Sequence, residues 1–96
     1  MITEKQKRFL RAKAHHLNPF VIVGNAGVSE GVLNEVDIAL SRHELIKVRV
    51  NAERDERKTM ANDICKKTNA DLVQIIGGIV ILYRPAKKPF INLPKV

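Results

Sequence analysis

The chain has 96 residues, of which 45% are hydrophobic, which suffices for one domain with a single modest core. It carries 17 Lys and Arg against 10 Asp and Glu, a net charge of +7, and this excess favours a polyanionic partner. A single cysteine, Cys65, excludes an internal disulfide and is typical of a reducing compartment such as the cytoplasm. No stretch reaches the roughly 18 apolar residues of a membrane helix, and the basic N-terminal segment lacks the apolar run of a signal peptide.

The first predicted helix has an apolar stripe and a cationic surface. Thr3 and Gln6 have the spacing of a capping box, which predicts a helix over about residues 3–16. Basic residues are dense along it: Lys5, Lys7, Arg8, Arg11 and Lys13. Because no acidic residue lies between residues 5 and 13, we expect these cations to lack a local partner and to form a binding surface. The alternative is a helix face that is merely solvated.

Two strands flank the second predicted helix. The β-branched run 21–23 predicts a strand that is covered on both faces. Ser29 can cap a helix that ends near His43. The next segment, LIKVRV, alternates apolar and basic residues, so Lys47 and Arg49 should face the polar side of the second strand.

The second half of the chain predicts a helix, a hairpin and a tail. The helix should span about residues 55–68, and the two glycines of the segment IIGGIV should join two apolar strands. The prolines and lysines of residues 85–96 predict an extended C-terminal tail. The order α-β-α-β-α-β-β predicts a single α/β domain over residues 1–96 with a mixed four-stranded sheet. The helices between successive strands imply parallel pairing, and the hairpin adds an antiparallel strand.

The junction between the first strand and the second helix reads Gly24, Asn25, Ala26, Gly27. A P-loop would need a lysine where Val28 stands, and the dinucleotide-binding fingerprint needs a different glycine spacing. A short strand-to-helix loop can still bind phosphate through backbone N–H groups at the helix N-terminus. The GxxG loop of KH domains clamps a nucleic-acid backbone in a similar place. The alternative is that the glycines only allow a tight turn.

Two further features bear on a nucleic-acid partner. A second basic cluster, consisting of Arg84, Lys87 and Lys88, follows the hairpin and either extends a binding footprint or belongs to a solvated tail. Aromatic residues make up only 4% of the chain, which argues against a surface of stacking rings that reads single-stranded bases.

Catalytic and metal-binding patterns do not emerge from the remaining residues. His15 and His16 are adjacent and point apart on a helix, His43 stands alone, and Cys65 projects with the apolar stripe of its helix. The aspartates look like helix-surface or loop residues rather than a convergent pair. We therefore expect no catalytic residues, no metal, no cofactor and no small-molecule substrate.

Four blocks in this order, GNAGVSEGV, HELIKVRV, VQIIGGIVILYRP and INLP, resemble the YhbY family of small bacterial proteins. That family is the stand-alone form of the CRM domain (chloroplast RNA splicing and ribosome maturation). The resemblance covers nearly the whole chain and implies a fold similar to the C-terminal domain of translation initiation factor three. It also implies binding to structured RNA through the GxxG loop and the basic surface of the first helix. This copy has no lysine between the glycines.

The family resemblance further implies an association with precursors of the large ribosomal subunit. We therefore expect a non-catalytic, monomeric RNA-binding protein that docks on ribosomal RNA and assists assembly of that subunit. Lys5, Arg8 and Arg11 would neutralise phosphates, and the second basic cluster would extend the footprint. A protein-interaction module that meets an acidic partner on or near the ribosome is the alternative. An RNA-modifying enzyme, which would need a cofactor or a metal, is a third hypothesis.

Overall fold

Three helices and four strands make up the fold in a computed structural model that describes residues 2–24 and 26–95. The helices are α1 (Glu4–Ala14), α2 (Glu30–His43) and α3 (Arg54–Thr68). The strands are β1 (Val21–Val23), β2 (Leu45–Val50), β3 (Asp71–Ile76) and β4 (Ile79–Tyr83). The order of elements and the predicted α/β fold class are confirmed. Within the described residues, none of the helices is long and apolar enough to cross a membrane.

The four strands form one mixed sheet in the order β1-β2-β4-β3. Strand β1 pairs with β2 in parallel, whereas β4 pairs antiparallel with both β2 and β3. The predicted parallel pairing is therefore confirmed for β1 and β2. The predicted pairing of β2 with β3 is wrong: these strands run in the same direction but are not neighbours, because the returning hairpin strand β4 lies between them.

Local sequence signals account for the ends of the helices. The Thr3 and Gln6 side chains each bond the other residue's backbone N–H, at 3.2 and 3.0 Å, in the predicted capping box. The hydroxyl of Ser29 accepts a hydrogen bond from the N–H of Val32 at 3.2 Å, which caps α2. Helix α3 ends at Asn69, whose φ of 59° lies in the left-handed region. These bonds satisfy donors that a helix end leaves without an internal partner.

One face of the sheet is covered by α2 and α3, and we call it the closed face. Its core consists of buried aliphatic side chains from both helices and from β1, β2 and β4. In β2 the alternate residues Ile46, Val48 and Val50 all point into this core, as the sequence alternation predicts. Each fully buried side chain of this size stabilises the fold by about 1.5–3 kcal/mol.

The opposite face is only partly covered, and we call it the half-open face. Helix α1 packs on β2, β3 and β4, where its Leu10 and Ala14 contact a second buried cluster that includes Ile81. Strand β1 lies at the sheet edge beyond α1, and the Ile22 side chain is 62% exposed. The prediction that the first strand is covered on both faces is therefore wrong, because the helices of the described residues leave the outer side of this edge strand exposed at Ile22.

The C-terminal segment 85–95 contains no helix or strand and packs against the half-open face, where Ile91 is buried. The buried carboxylate of Glu44 accepts hydrogen bonds from three backbone N–H groups of the segment, those of Ala86, Phe90 and Ile91, at 2.6–3.1 Å. The Gln6 side chain donates to the Pro94 carbonyl at 3.0 Å. Hydrogen bonds and burial therefore hold this segment in its extended path.

Candidate nucleic-acid interface

The loop from Gly24 to Gly27 closes as a turn between β1 and α2. The N–H of Gly27 donates to the carbonyl oxygen of Gly24 at 3.0 Å. Ala26 is exposed, and Asn25 lies outside the described residues. Because the Gly27 donor is used within the loop, an anion at this corner must rely on other groups, such as those first-turn N–H groups of α2 that Ser29 does not cap.

The two glycines of this loop have different structural requirements. Gly27 has a φ of 75°, in the region that favours glycine, and a Cβ there would lie 3.7 Å from the Cε of Met60. Gly24 is exposed, has no positive φ, and a Cβ there would meet no heavy atom within 4 Å. The fold therefore needs glycine at position 27. At position 24 the missing side chain leaves open space at the protein surface.

The charges on the two sides of the loop differ in sign. Met60, which lies beside Gly27, lines a surface depression together with Asp55 and Glu56 of α3. On the half-open face the exposed Arg49 is the register partner of Ile22 and so lies close to the start of the loop. A polyanion therefore meets attraction on the side of the sheet and repulsion on the side of α3.

A groove of about 270 Å³ lies between α1 and the uncovered part of the half-open face. We call it the cationic groove; its lining residues are Arg11, His15, Lys47, Ile76, Ile79 and Ile81. The ammonium group of Lys47 donates to the backbone carbonyl of His15 at 3.5 Å. Lys7 lies one helical turn before Arg11, on the same side of α1.

A row of side chains connects this groove to the loop. The strand register aligns Ile22, Arg49, Ile79 and Ile76 across all four strands. Ile22 and Ile76 are both more than half exposed, at 62% and 53%. The cationic groove, this cross-strand row and the corner at Gly24 therefore form one continuous surface on the half-open face, and we call it the basic sheet surface.

The predicted cations of α1 take different positions around the helix. Lys5 and Arg8 are exposed on its outer side, Arg11 lines the cationic groove, and Lys13 lies on the opposite flank. The Lys7 ammonium lies 3.6 Å from the Glu4 carboxylate. The expectation that none of these cations has a local partner is therefore wrong for Lys7, because an acid stands one turn earlier. This pair, in which Glu4 is exposed and Lys7 is half-buried, is weak, about 0.2–0.5 kcal/mol.

Arg84 of the second basic cluster is engaged by structural partners. Its guanidinium donates to the Asp37 carboxylate at 2.6 Å and to the Thr68 carbonyl at 2.8 Å. Both acceptors belong to the helices of the closed face, whereas Lys87 and Lys88 are exposed on the segment that follows. The structure thus separates this cluster from the cationic groove and gives Arg84 the role of tying the end of β4 to α2 and α3.

Two residues of the basic sheet surface, Lys47 and Arg49, were not among the predicted binding residues. The alternation in LIKVRV places them on the polar side of β2, and that prediction is confirmed by the burial pattern. The missing information was how much of that side α1 covers. Only the packing of α1 shows that a basic stripe remains accessible next to exposed isoleucines.

The thiol of Cys65 packs against the core of the closed face. Burial, with a smaller contribution from the charge of Asp71, raises the pKa of this thiol from 9.0 to about 11. The thiol therefore stays protonated at neutral pH, which makes it a poor nucleophile and a poor metal ligand. Across residues 2–24 and 26–95, no group of three or more His, Cys, Asp or Glu side chains is placed to hold a metal ion.

The fold and the glycine turn ahead of α2 define a class of small α/β domains with a GxxG loop. Within that class, the chain belongs to the CRS1/YhbY (CRM) domain family, whose profile matches residues 2–84. The family resemblance predicted from the sequence is therefore confirmed.

Similar proteins are known from several bacteria. A Haemophilus influenzae protein named "RNA-binding protein" is 48% identical over 95 residues, which cover 98% of this chain and 96% of that protein. The Bacillus subtilis "Probable RNA-binding protein YqeI" is 44% identical over 90 residues, which cover 92% of this chain and 93% of the relative. The solution structure of a Staphylococcus aureus protein, described as a candidate RNA-binding protein, has a TM-score of 0.87 at 38% identity. That match covers 98% of this chain and 100% of the other.

Proposed function

We propose that this protein binds structured RNA and performs no chemistry on it. The observation that carries the proposal is the continuity of the basic sheet surface, which runs from the cationic groove past Arg49 to the open corner at Gly24. Its basic side chains suit phosphates, and the corner admits a second backbone. The relatives named as RNA-binding proteins support the same function.

The binding mode follows from the charges and from the open corner. Arg11, Lys47 and Arg49 would neutralise phosphates along the groove, and the exposed Lys5 and Arg8 would contact a neighbouring strand of a folded RNA. The RNA backbone would approach most closely at the loop, where the glycine at position 24 presents no side chain. Folded RNA is recognised through shape, phosphates and 2′-hydroxyls, so we expect little sequence preference.

Arg49→Gln tests the surface, with Arg54→Gln as the matched control. Both side chains are exposed and both changes remove one positive charge, but Arg54 lies at the start of α3 beside acidic residues. In filter binding to a ribosomal RNA fragment, about five phosphate contacts predict a slope of about −3.5 to −4.5 for log K against log salt. R49Q should reduce the magnitude of that slope by about one, and R54Q should leave it near the wild-type value. Equal losses in both variants, or a flat salt response, would contradict the proposal.

We further propose that the RNA is ribosomal RNA in precursors of the large subunit, and that the protein acts there as a cytoplasmic monomer. This part of the proposal rests on the family to which the chain belongs. Sedimentation of a cell lysate should place the protein with large-subunit precursors, and ribonuclease should release it. Co-migration that survives ribonuclease would instead favour the protein-interaction module.

A further inference from the structure

All three phenylalanines of this aromatic-poor chain are exposed. Phe9, Phe20 and Phe90 are 37%, 43% and 58% exposed, whereas the single tyrosine, Tyr83, is buried at 3%. Composition alone argues against a stacking surface, because so few aromatic residues are present. The structure qualifies that expectation, because aliphatic side chains form most of the core and the phenylalanine rings lie at the surface.

Two of these rings line one groove of about 320 Å³, which we call the aromatic groove. It lies on the flank of α1 opposite the cationic groove and is lined by Lys13, Phe20, His43 and Phe90 over an apolar floor that includes Leu45. None of its lining residues is acidic. The nearby Glu44 carboxylate is buried and already accepts three backbone N–H groups. The groove therefore combines flat apolar rings with a cation.

The Phe20 ring is held in place on one side and open on the other. Its centroid lies 4.3 Å from that of His43, and the two rings are nearly parallel, at 13°. His43 covers one face of the ring, yet Phe20 is still 43% exposed. A flat aromatic ligand can therefore extend the stack on the open face without first ordering the phenylalanine.

We propose that the aromatic groove holds one unpaired nucleobase of the RNA, stacked on Phe20, with the adjoining phosphate on Lys13. The proposal rests on the proposed RNA-binding function and specifies its ligand as paired RNA next to an unpaired nucleotide. The volume lies at the low end of the range of about 300–1,000 Å³ for ligand pockets, which suits a single ring system. Arg8, on the outer side of α1, carries the phosphate path from one groove to the other.

The test compares two RNAs and two substitutions at the same position. The RNAs are a hairpin with an unpaired loop and a blunt duplex of the same stem. Phe20→Tyr keeps a ring of similar shape, whereas Phe20→Leu keeps apolar character and removes the stacking surface. The wild type and F20Y should prefer the hairpin. F20L should lose about tenfold in hairpin affinity and bind the duplex as the wild type does.

A spectroscopic readout locates the base directly. 2-Aminopurine in the hairpin loop should be quenched by the wild type and by F20Y, but not by F20L. Thermal unfolding checks that F20L folds; Lys13→Ala provides an independent variant that should lower hairpin affinity selectively. Equal hairpin affinity of F20L and the wild type, or quenching that persists in F20L, would overturn the proposal.

The two proposals fail in distinguishable ways. If R49Q binds both RNAs more weakly and F20L binds both as the wild type does, the proposed RNA-binding function stands and the proposed base site is overturned. A wild-type protein that binds neither RNA would overturn both. An apolar peptide can be tested for its ability to displace the hairpin from the aromatic groove. If it does so equally well with F20L and the wild type, the groove accepts a protein side chain instead, which overturns the proposed base site.

Discussion

The closed face and the half-open face belong to the same sheet but differ in what covers them. On the closed face two helices bury the alternate residues of β2, including Ile46 and Val48. On the half-open face one helix covers part of the same strand and leaves Arg49 in solvent. One alternating strand therefore supplies core residues from one side and a charged surface from the other. We expect substitutions on the two faces to separate stability from RNA binding.

The largest difference should come from the same substitution made on each face. Ile46→Ala removes a fully buried side chain of the closed face and should lower the free energy of unfolding by about 2–5 kcal/mol. Ile22→Ala removes a side chain that is 62% exposed and should cost less than about 1 kcal/mol. Denaturant titration of both variants measures the difference. Similar losses of unfolding free energy in the two variants would show that Ile22 contributes more to the packing of the core than its exposure indicates.

Glu44→Gln tests how the C-terminal segment completes the half-open face. The change removes the charge that accepts N–H groups from Ala86, Phe90 and Ile91, and it places an amide donor beside them. We expect a loss of about 2–3 kcal/mol in unfolding free energy. Amide hydrogen exchange at these three residues should also become faster.

The control for this prediction is Glu35→Gln on the exposed surface of α2. It should change stability by less than about 0.5 kcal/mol. Unchanged exchange in the Glu44→Gln variant would mean that apolar packing alone holds the segment.

Substitution of the two loop glycines should have smaller effects on stability, and the two variants should differ in whether stability or RNA affinity changes. Gly27→Ala forces a side chain into a positive φ and should cost about 1–2 kcal/mol of stability. Gly24→Ala places a methyl group in open space, so stability should change by less than about 0.5 kcal/mol, while RNA affinity falls. Thermal unfolding and filter binding separate the two effects. A Gly24→Ala protein with unchanged RNA affinity would limit the loop to a structural turn.

The smallest effect concerns Cys65, which packs against the core of the closed face, and is a loss of stability in alkaline solution. The pKa of Cys65 is raised from 9.0 to about 11 by burial, so above pH 9 the unfolded chain releases this proton before the folded one. Stability should therefore fall as the pH rises from about 9 to 11, by about 1 kcal/mol after allowance for partial exposure. Cys65→Ala should show a shallower decline over this range. The raised pKa of Tyr83 contributes a further decline that this variant retains.

Much of the fold was predictable because its signals are local. The capping box at Thr3 and Gln6, the end of the third helix at residue 68 and the alternation of LIKVRV all appear in the structure where the sequence places them. Each signal depends on the repeat of one helix or strand and on side chains a few residues apart. The candidate site was predictable only in part, through the cations of α1 and the glycine loop.

Local sequence patterns specify the order of the elements, which side of each helix and strand is apolar, and the density of positive charge. Which charges remain accessible depends on packing between segments far apart in the chain, so it becomes visible only in the folded structure. Arg84 is engaged by Asp37, 47 residues away, whereas Arg49 stays in solvent because α1 stops short of the sheet edge. The same long-range packing left the outer side of β1 uncovered and brought Phe20, His43 and Phe90 to one groove.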